Sequence, residues 1–293
     1  MNESELLNLI EQRSRGICLS GAELVVGPGD DAAVVRTPGG DVLLLTVDQL
    51  VEGRHYTPGT DLDLVARKAI ARSVSDIAAM GGAPTWAMAT GILPSDFKHG
   101  DELFEAMSRW AMHWGCPLIG GDIASGPGPI SLTVTVCGRM ENGATPKLRS
   151  GAQVGDEIWL TGSIGGSFES GRHLTFEPKI EIGKHAAMCE RVHAMIDISD
   201  GLGRDAARIG SASGVTLEID AAKLPMHEGV LDWKQAVGEG EDYELLIVGI
   251  SLADKMPDLL GPIGVVRKQE DAGAVIVDLN GKRHIADDLG WEH

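Results

Sequence analysis

The chain has 293 residues, 43% of them hydrophobic, and sets 43 acidic against 25 basic residues for a net charge of −18. A chain this long buries roughly 75% of the surface that its unfolded form exposes, and at about 150 residues per domain it predicts two domains. So acidic a surface repels nucleic acid and anionic membranes, which excludes both as expected partners, and a phosphorylated ligand would need cations or concentrated basic residues at its site.

The N-terminal segment carries acidic residues where an export signal would be basic, so no export is expected. Residues 2–13 predict a short helix, with Leu6, Leu7 and Ile10 at helical spacing. The turn Gly27-Pro28-Gly29-Asp30-Asp31 leads into an apolar strand over 32–35, and a second strand runs over 41–48. Residues 61–80 predict a helix, stopped by Gly81-Gly82 and Pro84. The uncharged stretch 77–95 could span a membrane by length, but its glycines and prolines break it into helix end, turn and buried strand. A helix over 101–114 follows, then strands near 117–119 and 130–137 and a polar, turn-rich linker over 142–155. Strands over 157–161, 194–198, 215–219, 243–249 and 274–277 are separated by helical or Gly-rich stretches. Mixed strands and helices on both sides of the linker predict an α/β or α+β protein, with domains over 1–146 and 147–293. Cys18, Cys116, Cys137 and Cys189 form no Cys-x-x-Cys pair, so buried free thiols in a reducing cytoplasm are expected.

Several carboxylates stand where a solvated residue would not. Asp76 lies seven residues after Ala69 and eleven after Val65, within about 20° of both on a helix, so it interrupts the buried stripe. It is either ion-paired with Arg72 one turn earlier or aimed into a site at the helix end. Thr46 and Asp48 share a face at the end of their strand and together could ligate a hard cation. In Ile196-Asp197-Ile198-Ser199-Asp200-Gly201-Leu202, Asp197 and Ser199 share a face before a helix start; that start suits a phosphate, and the carboxylates suit magnesium. The alternative is that Ser199 or Asp200 merely caps the helix. The Gly-rich turns around Asp30 and at Gly120-Gly121-Asp122 complete the set. No phosphate-binding Gly-x-x-x-x-Gly-Lys loop, dinucleotide fingerprint, His-Glu-x-x-His or Gly-x-Ser-x-Gly competes with this reading.

Five ordered blocks, Gly-Asp-Asp-Ala-Ala-Val (29–34), Thr-Val-Asp-Gln-Leu-Val-Glu-Gly-Arg-His-Tyr (46–56), Ser-Asp-Ile-Ala-Ala-Met-Gly-Gly-Ala-Pro (75–84), Ile-Asp-Ile-Ser-Asp-Gly-Leu (196–202) and Gly-Glu-Asp-Tyr-Glu-Leu (240–245), resemble those of the thiamine-monophosphate kinase family. That family shares a superfamily with aminoimidazole ribonucleotide synthetase. The resemblance implies magnesium-dependent transfer of the γ-phosphoryl of ATP onto thiamine monophosphate. It implies metal contacts at Asp30, Thr46, Asp48, Asp76, Asp122, Asp197 and Asp200, and ATP contacts at Gly121, Arg149 and Ser199. His55, Glu241 and Trp291 match positions lining the acceptor pocket, where an aromatic ring and a carboxylate suit a cationic thiazolium. It further implies a homodimer whose N-terminal strands form a shared barrel, each chain closed by a C-terminal α/β domain. Against this family, the segment 163–193 is short and the chain stops at Trp291-Glu292-His293, both on the acceptor side. The alternatives are another ATP-dependent enzyme of the superfamily with a different acceptor, or a non-catalytic magnesium-nucleotide binder.

Overall fold

The computed structural model describes residues 3–14, 16–141, 143–270 and 273–291. Asn2, Asn142, Glu292 and His293, which enter the expected first helix, the linker and the C-terminal end, lie outside the described residues, as does the side chain of Leu7. The first half runs α1 (Glu3–Ser14), β1 (Glu23–Val26), β2 (Ala33–Arg36), β3 (Val42–Val51), α2 (Leu62–Ala79), β4 (Ala83–Pro94), α3 (Gly100–His113), β5 (Leu118–Gly126) and β6 (Ser131–Arg139). The second half runs β7 (Glu157–Leu160), α4 (Ser167–Ser170), α5 (Ile180–Met188), β8 (Val192–Asp197), α6 (Leu202–Ser213), β9 (Val215–Asp220), α7 (Trp233–Gly238), β10 (Leu245–Gly249), β11 (Leu260–Lys268), β12 (Val275–Leu279) and β13 (Lys282–Ile285). Mixed α and β structure is thus as expected, in two sheets.

The first sheet has the order β1-β2-β3-β6-β4-β5, antiparallel except for the β4/β5 pair. Alternation along β3 turns Leu44, Thr46 and Leu50 inward, and α2 covers that face. The opposite face is uncovered, and on it Val47 is 62%, Met88 43% and Ile92 48% exposed. β4 is therefore half-buried, not the buried strand expected from its lack of charge: Ala87 alone along it is buried. Leu6 and Ile10 of α1 are exposed as well, so that stripe is not part of the core.

The second sheet has the order β13-β12-β9-β11-β7-β10-β8 and is antiparallel apart from β9/β12. Its core gathers Ile158, Leu160, Ile196, Leu217, Val248 and Ile263 with α6 and α7. Helix α2 serves both halves. Asp61 caps its start by accepting from the Asp63 N–H at 2.8 Å, and its end reaches α5 so closely that a Cβ at Gly183 would lie 2.1 Å from the Ala78 carbonyl oxygen.

The connection between the sheets is no slack linker. Buried Lys147 donates to the carbonyls of Cys189 at 3.0 Å and Val192 at 2.9 Å, which fixes the chain just before Arg149. All four cysteines are free; Cys116 and Cys137 are buried as expected, whereas Cys189 is half-buried and Cys18 exposed. Among the described residues no helix is long and apolar enough to cross a membrane.

Candidate active site

Four segments converge where the two sheets meet: the Gly27–Asp31 turn, the end of β3, the C-terminal end of α2, and the loop joining β8 to α6. They bring together Asp31, Asp76 and Asp197, whose nearest carboxylate oxygens all lie within 4.8 Å of one another. Each is oriented by a neighbour. Thr46 Oγ1 donates to Asp76 Oδ2 at 2.5 Å, Ser75 Oγ donates to Asp197 Oδ2 at 2.6 Å, and Arg149 Nη2 lies 2.5 Å from Asp31 Oδ1. Burial pushes the Asp76 carboxyl well above its ordinary range, and the charges of Asp48 and Asp197 push it further. Asp197 is raised well above that range by burial and then by Asp31. Three crowded carboxylates, two buried and that of Asp76 half-buried, with several partners for their outer oxygens form a donor set of the kind that a hard divalent cation takes.

The trio contains Asp31 where Asp30 was expected. Asp30 turns instead to the N–H groups of Asp31, at 3.1 Å, and Arg149, at 3.2 Å, pinning the connection to the turn. Burial, then the charge of Asp31, raises its carboxyl to about 7. Asp76 is not paired with Arg72, so the first alternative for its placement fails: Arg72 reaches Gln49 and Asp48.

The loop after Asp197 is held by a residue that no motif reading singled out. Asp205, fully buried on the first turn of α6, accepts from the N–H groups of Ser199, Asp200 and Gly201 at 3.0, 3.0 and 3.2 Å through Oδ2, and pairs with Arg208 through Oδ1. Neither Ser199 nor Asp200 caps the helix; Gly201 occupies that place without a side-chain bond. Nor are the N–H groups of this turn left open for a phosphate, because Asp205 holds them. The signal was there: an Asp inside the first turn of a helix favours the positive dipole end and can reach back to the turn before it.

A cleft of about 450 Å³ opens beside the trio, lined by Asp48, Gln49, Val51, Arg54, His55, Arg72, Asp76, Ser199, Asp200 and Tyr243. It continues into a narrow recess lined by Arg54, His55, Phe168, Ser199, Asp200, Glu241 and Trp291. His55, Glu241 and Trp291, expected together, thus share one wall system, and Trp291 is tied down by its N–H to the Asp200 carbonyl at 2.8 Å. His55 Nδ1 accepts from the Val51 N–H at 2.9 Å.

Behind the recess, Lys68 is fully buried, its Nζ 2.6 Å from the His55 carbonyl oxygen, 2.8 Å from His173 Nδ1 and 2.7 Å from Glu241 Oε2. Burial lowers Lys68 to about 8 despite Glu241. His173 falls to about 4, through burial first and the Lys68 charge second, and is stacked on Phe168 with ring centroids 4.4 Å apart. Burial opposes ionisation of Glu241, but Lys68 and Arg72 outweigh it and hold the carboxyl below its ordinary range. Glu241 and Tyr243 take left-handed backbone, φ 68° and 52°, a strain that persists only where the surroundings enforce it. Gly240 is part of that enforcement: a Cβ there would sit 2.4 Å from the Ser199 carbonyl oxygen.

Gly121 and Asp122 are not brought to the trio. They lie exposed on edge strand β5, where the register sets Asp122 beside Thr90 on the sheet face opposite Thr46 and Asp48, and both line a separate cavity with Leu103, Phe104 and Met107. Asp48 and Asp200 line the cleft without joining the trio; Asp200 is paired with Arg208 at 2.5 Å. Phe168 and Lys68 went unpredicted, one because its segment carries no motif, the other because a lysine within a helical pattern reads as solvated.

Residues 29–140 match the family described as AIR synthase related protein, N-terminal domain, which sets the class of the first sheet and its carboxylates. The chain is 33% identical over 263 residues to the thiamine-monophosphate kinase of Rhodopirellula baltica, covering 83% of this chain and 81% of that protein. It is also 33% identical to that of Escherichia coli K12, covering 83% and 82%. The solved structure of AaThiL complexed with AMPPCP and TMP superposes with a TM-score of 0.84 at 30% identity, covering all of this chain and 97% of that one. The chain belongs to the thiamine-monophosphate kinase family.

Proposed function

We propose that this chain transfers the γ-phosphoryl of ATP directly onto the phosphate of thiamine monophosphate, giving thiamine diphosphate and ADP. The observation that carries the reading is the single cleft joining an acidic trio to a recess walled by His55, Glu241, Phe168 and Trp291, in a member of this family. Magnesium fits the trio, because Asp31, Asp76 and Asp197 are crowded against one another's charge and converge their oxygens. Bound there, with Asp48, Thr46 and Asp200 at hand, it would neutralise phosphate charge.

The chain's own residues do the positioning. Thr46 and Ser75 hold two of the carboxylates in place, and Arg149 supplies a fixed cation beside the third. No general base is assigned, since an acceptor phosphate is already ionised near neutral pH and phosphoryl transfer is chiefly alignment and charge stabilisation. In the recess, the Glu241 carboxylate and the Trp291 ring suit a thiazolium cation, while Lys68 fixes Glu241 and the His55 backbone from behind.

We propose ATP contacts at Arg149 and Ser199; Gly121, expected as an ATP contact, and Asp122, expected as a metal contact, lie in the separate cavity on β5 and are given no part in this cleft. The domain boundary belongs near 146, in the connection between the sheets. Two copies pairing through the uncovered outer face of the first sheet would bury Val47, Met88 and Ile92; a cytoplasmic location suits the free thiols. The test is an assay with magnesium, ATP and thiamine monophosphate, the thiamine products separated by chromatography. Thiamine diphosphate equal to the ADP formed is the expected result; ADP without it, or equal use of unphosphorylated thiamine, overturns the reading.

A further inference from the structure

Arg72 sits one turn before Asp76 on α2, and its side chain is 9% exposed. Its Nη1 donates to the Gln49 carbonyl at 2.9 Å, which fixes the guanidinium plane. Nη2 is 3.5 Å from Asp48 Oδ1, at the limit of a hydrogen bond, and Nε has no partner among the described residues. Nε and Nη2 form one edge of the guanidinium, the edge that binds two oxygens of a phosphate or carboxylate in parallel. A buried donor left unpaired is costly, so a ligand that completes it is favoured.

The same arginine lines the cleft, between Asp48 and Asp76 on the trio side and Val51, Arg54 and His55 on the recess side. A donor triphosphate at the trio has Arg149 and any bound cation beside it. An acceptor phosphate entering from the recess passes Arg54 and then meets Asp48, Asp76 and Asp200 with its own negative charge, and Arg72 is the cation set among those carboxylates. Resting on the phosphoryl-transfer reading above, we propose that Arg72 is a catalytic residue: its Nε–Nη2 edge binds the non-bridging oxygens of the acceptor phosphate and aims it at the transferred phosphoryl. Asp48 restrains that edge when the cleft is empty and is displaced from it by the phosphate.

The experiment compares wild type, Arg72→Lys and Arg72→Met in steady-state kinetics with thiamine monophosphate varied, in calorimetric binding of a non-hydrolysable ATP analogue, and in guanidinium rescue of Arg72→Ala. Loss of a fixed two-donor clamp lowers kcat/KM for the acceptor by about 10²- to 10³-fold in Arg72→Met. Arg72→Lys recovers only part of this, because a lysine keeps the charge but loses the fork. Binding of the ATP analogue stays within about twofold of wild type, and guanidinium ion restores turnover to Arg72→Ala. Should the methionine variant fail to fold, the lysine variant decides: wild-type kcat/KM in it overturns the proposal. So does a parallel loss of ATP-analogue affinity in any folded variant. Wild type that makes no thiamine diphosphate refutes the underlying reading instead, whereas wild type that makes it beside indifferent Arg72 variants refutes only the role of Arg72.

Discussion

Asp205 offers the sharpest test of how the site is held. Its Oδ2 takes the N–H groups of Ser199, Asp200 and Gly201, its Oδ1 takes Arg208, and the residue is fully buried. Asp205→Ala leaves three N–H donors of a packed turn without an acceptor, at about 1 kcal/mol or more each, so about 3–5 kcal/mol of stability is lost. In a chain of this size that lowers the melting temperature by roughly 5–8 °C. Asp205→Asn can keep the three N–H groups on its amide oxygen and forfeits chiefly the Arg208 pair, so it melts between the two. Because the turn carries Ser199 and Asp200 into the cleft, a displacement on the order of 1 Å should also cut turnover about 10²-fold. Thermal melts and steady-state kinetics of both variants check this. An alanine variant melting within about 2 °C of wild type, with its activity intact, would refute the framing role.

Three other outcomes follow from the same geometry. Magnesium should raise the melting temperature of wild type but not of Asp31→Asn, while in chelator Asp76→Asn should melt above wild type because one of three mutually repelling carboxylates is gone; a lower melt in chelator contradicts the crowding. His173 is held at about 4 against an ordinary 6.5, so between those pH values the unfolded chain binds a proton that the folded chain refuses, and stability falls as pH drops through that window. His173→Gln should flatten that slope in denaturant titrations, and an unchanged slope rules His173 out as its source. Trp291→Ala should raise KM for thiamine monophosphate about tenfold, a cation–π contact being worth about 1–2 kcal/mol, and leave ATP-analogue binding unchanged; equal losses on both sides would remove Trp291 from the acceptor wall.

Much of the site was legible because it sits in short segments with strong local rules. Period-two alternation placed Thr46 and Asp48 on one face of β3, and the helical wheel marked Asp76 as a carboxylate inside a buried stripe. What single segments could not disclose is which neighbouring carboxylate turns inward. Asp30 and Asp31 are adjacent, and the choice between them is made by Arg149, more than a hundred residues away, which binds one through its backbone and the other through its side chain. Lys68 was missed for a like reason, since it looks like a surface charge until Glu241 and His173 from distant segments surround it, whereas Asp205 binds the adjoining 199–201 turn and its local signal, an Asp in the first turn of a helix, was there to be read. Asp122 shows the converse, since its Gly-rich turn looks like a ligand site, yet the β4/β5 register sends it to the other face of the sheet. The length of β5 and the strands β11 and β13 also escaped, their sequences being rich in glycine or charge, with pairing supplied by neighbours.

The most direct test of the central claim follows the transferred group itself. ATP carrying a radioactive γ-phosphorus, incubated with magnesium, thiamine monophosphate and the purified chain, should deliver its label to the terminal phosphate of thiamine diphosphate in a single turnover, with none on the protein. Label bound covalently to the chain, or released as inorganic phosphate without thiamine diphosphate, would contradict direct transfer across the cleft.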